Sequence, residues 1–242
     1  TARPKYYDLV PYQIVNREDD ELKRGNALLK PTLATNLDFL AEHYFQSVGV
    51  ISGGVFYKRL TDYIYDRGFD EVGGSFDGWE VEQPVNGGYA DLWGIEATWQ
   101  QQFTSLPGAL NGLGIYANYT YTHSDAKVRG RVSNPTLPGQ ATHMTNVALW
   151  YEKHGFSSRI AVNLHGKFVD EVGSKPSKDV YYNRHVQWDL SVSQRVRPNA
   201  RVFVEVINLT DEPLRFYQSS AGRPIQQEFY SWWGHMGLKL DF

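Results

Sequence analysis

The sequence predicts an all-β chain whose fold is a transmembrane, antiparallel, up-and-down β-barrel wall of about nine strands. Three observations carry this. Apolar and polar side chains alternate through one segment after another, which is the period of a strand. The connections between segments run short, long, short, long, so one rim carries tight turns and the other long loops. The last stretch, Ile225 to Phe242, sets Tyr230, Trp232, Gly234, Met236, Leu238, Leu240 and Phe242 on one face and Trp233, His235, Gly237, Lys239 and Asp241 on the other. It exceeds the ~5–6 residues of a globular strand and suffices for the ~9–11 that cross a bilayer.

Composition fits this class. The 242 residues make one large β domain, and 14% are aromatic, enough to populate two interfacial girdles. A net charge of −3 implies no strong attraction to nucleic acid or anionic lipid. The absence of cysteine excludes a disulfide scaffold and thiolate metal sites. Mean hydropathy is −0.47, and no apolar run approaches the ~18–20 residues of a membrane helix. A barrel is not excluded, because its apolar face is hidden in alternation. The opening TARPKYYDL lacks the apolar segment of a signal peptide, as expected of a mature chain or a fragment.

Thr1 to Thr32 reads as a long irregular loop with the charged run Arg17-Glu18-Asp19-Asp20-Glu21, closed by a Gly25 to Pro31 turn. A strand from Leu33 to about Gln46 sets Leu37, Phe39, Ala41 and Phe45 against Asn36, Asp38, Glu42 and Gln46. A brief turn near Ser47 pairs it antiparallel with Gly49 to about Tyr65. Asp66 to Gly88 is Gly-rich and acidic and reads as a structureless insert, a length usually tied to function or disorder. Tyr89 to Phe103 alternates Trp93, Ile95, Ala97 and Trp99 with Gly94, Glu96, Thr98 and Gln100. After the turn SLPGALNG, Leu113 to His123 follows, then a second polar loop, Ser124 to Gly139. Gln140 to Glu152 and Phe156 to Asp170 form a hairpin over Lys153-His154-Gly155. A third loop, Glu171 to Asn183, leads to His185 to Arg197; Arg197-Pro198-Asn199-Ala200 turns into Arg201 to Asn208. A fourth loop, Leu209 to Pro224, precedes the last strand.

Each face then meets a definite solvent. Hydrocarbon cannot satisfy backbone N–H and C=O groups, so only helices and closed barrels cross it. The face bearing Arg159, Lys167, Asp189, Arg195 and Lys239 cannot meet lipid, where Lys or Arg at mid-depth costs ~2–4 kcal/mol. It lines a wet or plugged lumen. Tyr44, Phe45, Trp99, Phe103, Tyr151, Phe156 and Trp232, near strand ends, suit the interfacial girdles. Bacterial single-chain barrels have even strand numbers. The odd count, with the chain opening in a loop, reads as the C-terminal portion of a larger barrel.

Several stretches resemble known proteins. His235-Met236-Gly237-Leu238-Lys239-Leu240-Asp241-Phe242 resembles the C-terminal assembly signal of bacterial outer-membrane barrels, of which His235, Gly237, Leu240 and Phe242 are the matching residues. GNALLKP with TLATNLDFLAEHYF resembles the GNP-x-LKP turn and following strand of TonB-dependent outer-membrane receptors, with Ala27 in place of Pro. GVFYKRLTDYIY, YADLWGIEATWQQQF, LPGQATHMTNVALWYEKHGFSSRIAVNLHGKF, VINLTDEP and the terminal strand are also similar, in the family's order across nearly the whole chain. The resemblance implies that residues 1–242 form roughly the last nine strands of a 22-stranded barrel with a plugged lumen. The plug, its TonB-contacting segment (the TonB box) and the earlier strands would lie upstream. The implied function is energised uptake: a scarce solute (siderophore, cobalamin-like compound, oligosaccharide or peptide) binds at the extracellular mouth, and TonB, driven by ExbB and ExbD, disturbs the plug. The implied partners are that TonB system, the barrel assembly machinery, outer-membrane lipid and lipopolysaccharide, and a surface lipoprotein lid in some members; nucleic acid is not among them.

No catalytic constellation is present: there is no HExxH, no G-x-S-x-G and no phosphate loop, so the chain reads as no enzyme and needs no cofactor. His165, His185 and His235 read as lumenal wall residues rather than metal ligands. Solute contacts are expected on the long loops: Phe76, Trp79 and Tyr89 in the first, Arg129 and Arg131 in the second, Tyr181, Tyr182 and Arg184 in the third, Tyr217 and Arg223 in the fourth. Aromatic faces suit sugar rings, and Arg suits anionic chelates. The competing reading is that these side chains pack the loops on themselves or on the plug. Two other function classes remain: a passive pore or structural barrel, and a soluble β-sandwich lectin or enzyme.

Overall fold

The computed structural model describes residues 1–46 and 48–241. The turn expected near Ser47 and the terminal aromatic Phe242 lie outside the described residues. The chain opens with the short helix α1 (Tyr6–Leu9) and the strands β1 (Gln13–Asn16) and β2 (Glu21–Arg24). Then come β3 (Leu33–Tyr44), β4 (Gly49–Thr61), β5 (Ile64–Asp70), β6 (Glu80–Asn86), β7 (Tyr89–Gln102) and β8 (Leu113–Ala126). They are followed by β9 (His143–Lys153), β10 (Phe156–His165), β11 (Phe168–Glu171), β12 (Val180–Tyr182) and β13 (His185–Arg197). The last are β14 (Ala200–Ile207), β15 (Leu214–Gln218), β16 (Pro224–Glu228) and β17 (Trp233–Leu240).

Nine of these form one antiparallel meander in the order β3-β4-β7-β8-β9-β10-β13-β14-β17. They are the nine predicted strands. The wall does not close on itself within these residues: β3 and β17 are its two edges. Its connections alternate as expected. The β9–β10 turn puts His154 at φ 52 and Gly155 at φ 78. Positive φ at both central residues makes a type I′ turn, whose twist matches the flanking strands. Between β13 and β14 the Pro198 ring presets the turn, beside a register shift at Arg195/Arg197.

Register makes each face continuous. Phe39 opposes Val55, which opposes Ile95, and the line runs on through Tyr121 to His143. Lower on the wall, Leu149, Ile160, Leu190, Val206 and Gly234 lie in succession across five strands. A slip of one residue on any strand would turn its apolar set to the wrong side. The apolar face stays uncovered: Leu149 is 50% exposed, Val204 46%, Leu238 57% and Met236 82%. A band of that extent is far beyond the apolar patch a soluble monomer exposes. The polar face carries Glu96, Asn118, Asn163, Asp189 and Glu205. It has its own packing device, aromatic rings laid across cross-strand glycines: Phe56 on Gly94, Trp150 on Gly114 and Phe203 on Gly237.

Four expectations change. The Asp66–Gly88 insert is not structureless: β5 and β6 form an antiparallel hairpin from Ile64↔Asn86 to Asp70↔Glu80. The N-terminal segment is not an irregular loop, because β1 and β2 pair with each other and β2 pairs parallel with β6. Three long strands are each broken at the loop-bearing rim. Gly49–Tyr65 ends at Thr61, where Asp62 takes φ 53; Phe156–Asp170 breaks after His165; Ile225–Phe242 divides into β16 and β17, with Ser231 at φ 61 between them. The outer pieces leave the wall and pair first within their own loops, β5 with β6, β11 with β12 and β16 with β15. Finally, Tyr44 is no girdle residue: register sets it on the polar face, and its hydroxyl donates to Glu42 at 2.6 Å.

Candidate functional site at the loop-bearing mouth

The four excursions from the wall build a roof over its polar face. One sheet runs β1-β2-β6-β5 and the other β11-β12-β15-β16. A parallel bridge, Arg67↔Val172, joins them, with Gly68 N donating to Val172 O at 2.9 Å. The roof's core lies where the wall's polar face becomes apolar near the rim. Ala90, Leu92 and Ala126 of the wall pack with Tyr63, Tyr65, Val128, Val169 and Val172 of the loops, and all eight are buried. Burying a Val- or Leu-sized side chain is worth ~1.5–3 kcal/mol, so this cluster holds the loops against the mouth.

Arg131 and Asp179 add a second fastening. Arg131 Nη1 donates to Asp179 Oδ2 at 2.8 Å, and Nη2 donates both to Asp179 Oδ1 and to Gly173 O, the latter at 2.6 Å. Gly173 N donates to Asp179 Oδ1 at 3.1 Å, and Ser219 N to Asp179 O at 2.9 Å. The side chains are 6% and 3% exposed. The ion pair thus ties the second loop to the third, and the Asp179 backbone carbonyl adds the fourth.

The predicted contact residues fall into distinct groups. Arg131 is buried in this ion pair, the arrangement of the reading in which the loops pack on themselves. Tyr217 is buried and stacks on Tyr181, centroids 5.3 Å apart with planes 9° off parallel. Both share the register of buried Val169, and Tyr181 packs against the roof's core, the arrangement of the loop-packing reading. Tyr89 shares the outer register with Thr61 and Asp91, and the Arg59 guanidinium sits 5.6 Å from its ring. It belongs to the outer rim. Phe76 and Trp79 pair edge to face at 5.0 Å on the tip of the first loop, half-buried. Arg129, Arg184 and Arg223 are exposed.

Tyr182 alone joins a set the sequence did not single out. Phe168, Tyr182 and Phe216 are opposite one another on β11, β12 and β15. Phe168 and Tyr182 stack at 5.0 Å, and Phe216 meets Tyr182 edge-on at 5.2 Å. All three are half-buried, and the strip runs down onto lumenal His165 and His185. Their alternation was visible in the sequence; their alignment was not, because it depends on pairings between separate loops.

Between the two roof sheets lies a cleft of about 370 Å³ lined by Glu21, Asp66, Glu80, Glu82 and Glu171, with Lys23 and Lys178. Lys178 reaches Asp70 at 3.1 Å and Glu80 at 3.4 Å, and Lys23 pairs with Glu82. Desolvation, then the Glu82 and Asp170 carboxylates, push the Glu171 carboxyl up to about 7. Desolvation also raises Asp66 and Asp170. Burial thus holds the Glu171 proton well above the ordinary carboxylate range, which neither charge count nor motif revealed.

An exposed apolar wall face backed by a polar face, with long loops folded over one rim, defines a transmembrane barrel wall of the outer-membrane type. The family model for the TonB dependent receptor-like β-barrel matches residues 1–209, and the chain belongs to that family of outer-membrane barrels. Solved structures of similar fold include the Pseudomonas aeruginosa ferric enterobactin receptor PfeA in complex with BCV-L6 (20% identity, TM-score 0.64, 99% of this chain and 37% of that one). Two others are the Escherichia coli K12 ferric-catecholate import receptor Fiu (14%, 0.62, 88% and 28%) and the copper transporter OprC (17%, 0.63, 90% and 33%). The chain spans about a third of the length of these structures. No curated protein sequence matches it.

Proposed function

We propose that this chain is part of an outer-membrane active transporter that binds a scarce solute at its loop-bearing mouth and imports it with TonB-transduced energy. The observation that carries the reading is the pairing of a bare apolar outer face with a polar inner face roofed by interlocked loops, in a chain of this family. Residues 1–242 supply barrel wall and loops. The plug, through which TonB with ExbB and ExbD would act, and the earlier strands belong to the rest of the protein. Assembly machinery, outer-membrane lipid and lipopolysaccharide are the expected partners of the wall, and a lipoprotein lid is a further one for the loops.

Among solutes, a metal chelate is favoured over oligosaccharide, cobalamin-like compound or peptide. The named neighbours are a ferric enterobactin receptor, a ferric-catecholate import receptor and a copper transporter. The Phe168–Tyr182–Phe216 strip offers flat apolar faces to aromatic ligand arms, and Arg129, Arg184 and Arg223 stand free for anionic groups. These neighbours are receptors and transporters, in keeping with a chain that binds rather than catalyses.

The test is uptake of radiolabelled ferric catecholate by cells carrying the full-length protein, with and without functional TonB. Uptake that needs both supports the proposal. Accumulation that persists without TonB and follows the external concentration would instead identify a passive pore.

A further inference from the structure

Register brings three soft or borderline donors side by side on the polar wall face, just below the aromatic strip. Met144 on β9 is directly opposite His165 on β10, and His165 is directly opposite His185 on β13. Residues paired in this way on adjacent antiparallel strands have Cβ atoms ~4.5–5.5 Å apart on one face, within reach of a common ion. From the geometry we infer that Met144, His165 and His185 form a binding site for a soft monovalent metal ion, copper(I), on the lumenal wall. The inference rests on the placement of these side chains and not on what the whole receptor imports.

The donors are available. His165 Nδ1 lies 3.0 Å from Gly166 O, a carbonyl that only accepts, so Nδ1 carries the proton and Nε2 keeps its lone pair. A backbone carbonyl holding the second ring nitrogen is the arrangement that orients metal-binding imidazoles. Nδ1 of His185 is shut off from solvent with no hydrogen-bond partner among the described residues. Met144 is 41% exposed on a face whose neighbours at the same height are polar, such as Thr120 opposite it. A thioether there gains nothing from burial and makes no strong hydrogen bond. The chain's other methionine, Met236, lies on the outer face among Val204 and Leu238.

The donor set and its surroundings select the ion. Two imidazoles and a thioether, with no thiolate in the chain, suit copper(I); carboxylate-preferring hard cations gain nothing here. The rings of Phe168 and Tyr182 lean on His165 at 5.1 and 6.0 Å, and Tyr182 contacts His185 at 6.4 Å. They roof the site with apolar surface and restrict the imidazoles to small rotations.

The test uses the full-length protein in detergent micelles, kept anaerobic with ascorbate and titrated against the copper(I) complex of bicinchoninate. The expected result is withdrawal of one equivalent per chain. His165→Ala and His185→Ala are each expected to weaken binding more than about tenfold, with unchanged circular dichroism. Met144→Leu keeps shape and packing; it is expected to weaken binding and remove the sulfur shell from the copper X-ray absorption spectrum. No withdrawal, equal withdrawal by the His165→Ala/His185→Ala protein, a sulfur shell retained in Met144→Leu, or tighter binding of zinc(II) would each overturn the inference.

Discussion

Replacing Asp179 by Asn changes one oxygen for an amide and removes a charge from a pair that water barely reaches. The Arg131 guanidinium, 6% exposed, keeps its charge and loses its counter-ion. Leaving one member of a buried pair uncompensated costs about 3–5 kcal/mol. The wall is a separate cooperative unit, so this cost appears as local opening of the roof rather than loss of the barrel. Amide exchange over residues 128–131, 173–179 and 217–220 should therefore speed up between about a hundredfold and a few thousandfold, at 1.4 kcal/mol per tenfold. Exchange in β7 to β10 should not change. The assay is hydrogen–deuterium exchange with mass spectrometry on the full-length protein in micelles. The charge-free double variant Arg131→Met/Asp179→Leu should recover most of the protection, because replacing a buried pair by apolar groups is often close to neutral. An Asp179→Asn effect below about tenfold, or a double variant as open as the single one, would refute the view that this ion pair fastens the second and third loops.

Three further outcomes follow from the same coordinates. A Cβ at Gly114 would stand 2.1 Å from the Trp150 ring; Gly114→Ala should cost about 1–3 kcal/mol of overpacking. That lowers the temperature at which the folded band is lost in an unboiled gel, and adding Trp150→Leu should raise it again; an unchanged temperature counts against the ring-on-glycine packing. Met236→Arg, opposite Val204 in the middle of β17, should block membrane assembly at about 2–4 kcal/mol, and Leu240→Arg should stop it as well by altering the terminal stretch that resembles the assembly signal; normal outer-membrane levels of either variant would count against the reading. Glu171 holds its proton longer in the closed cleft than when opened, so its contribution to cleft stability is complete below about 4.5 and is lost as pH rises toward 7. Protection of the third loop, corrected for intrinsic exchange, should fall across that window and fall less in Glu171→Gln, where Asp66 and Asp170 keep a smaller slope; an undiminished slope in the variant would assign it to another group.

The wall was legible because its information is local and one-dimensional. Alternation such as Trp93, Ile95, Ala97 against Gly94, Glu96, Thr98 needs only neighbouring residues, and turns such as His154-Gly155 announce themselves by residue type. The breaks at Asp62, after His165 and before Trp233 were not legible. On both sides of each break the chain remains extended, and period-2 patterning cannot report which sheet a strand has joined. Of the candidate contacts, the loop location was readable but direction was not. Tyr89 faces outward with its ring against the Arg59 guanidinium, and Arg131 faces inward against Asp179, and no spacing rule connects either residue to its partner.

What the sequence determined by itself was a nine-strand wall, its two faces and the rim that carries the loops. Lipid outside and polar lumen within demand strict alternation, so the pattern is written into every strand. Only the tertiary structure decided the roof. Lys178 reaches Asp70 across 108 residues, β2 lies parallel to β6, and the Phe168–Tyr182–Phe216 strip draws on two loops. Such pairings are settled by the closure of long loops and by which buried charges find each other, and those outcomes exist only once the wall has brought the rims together.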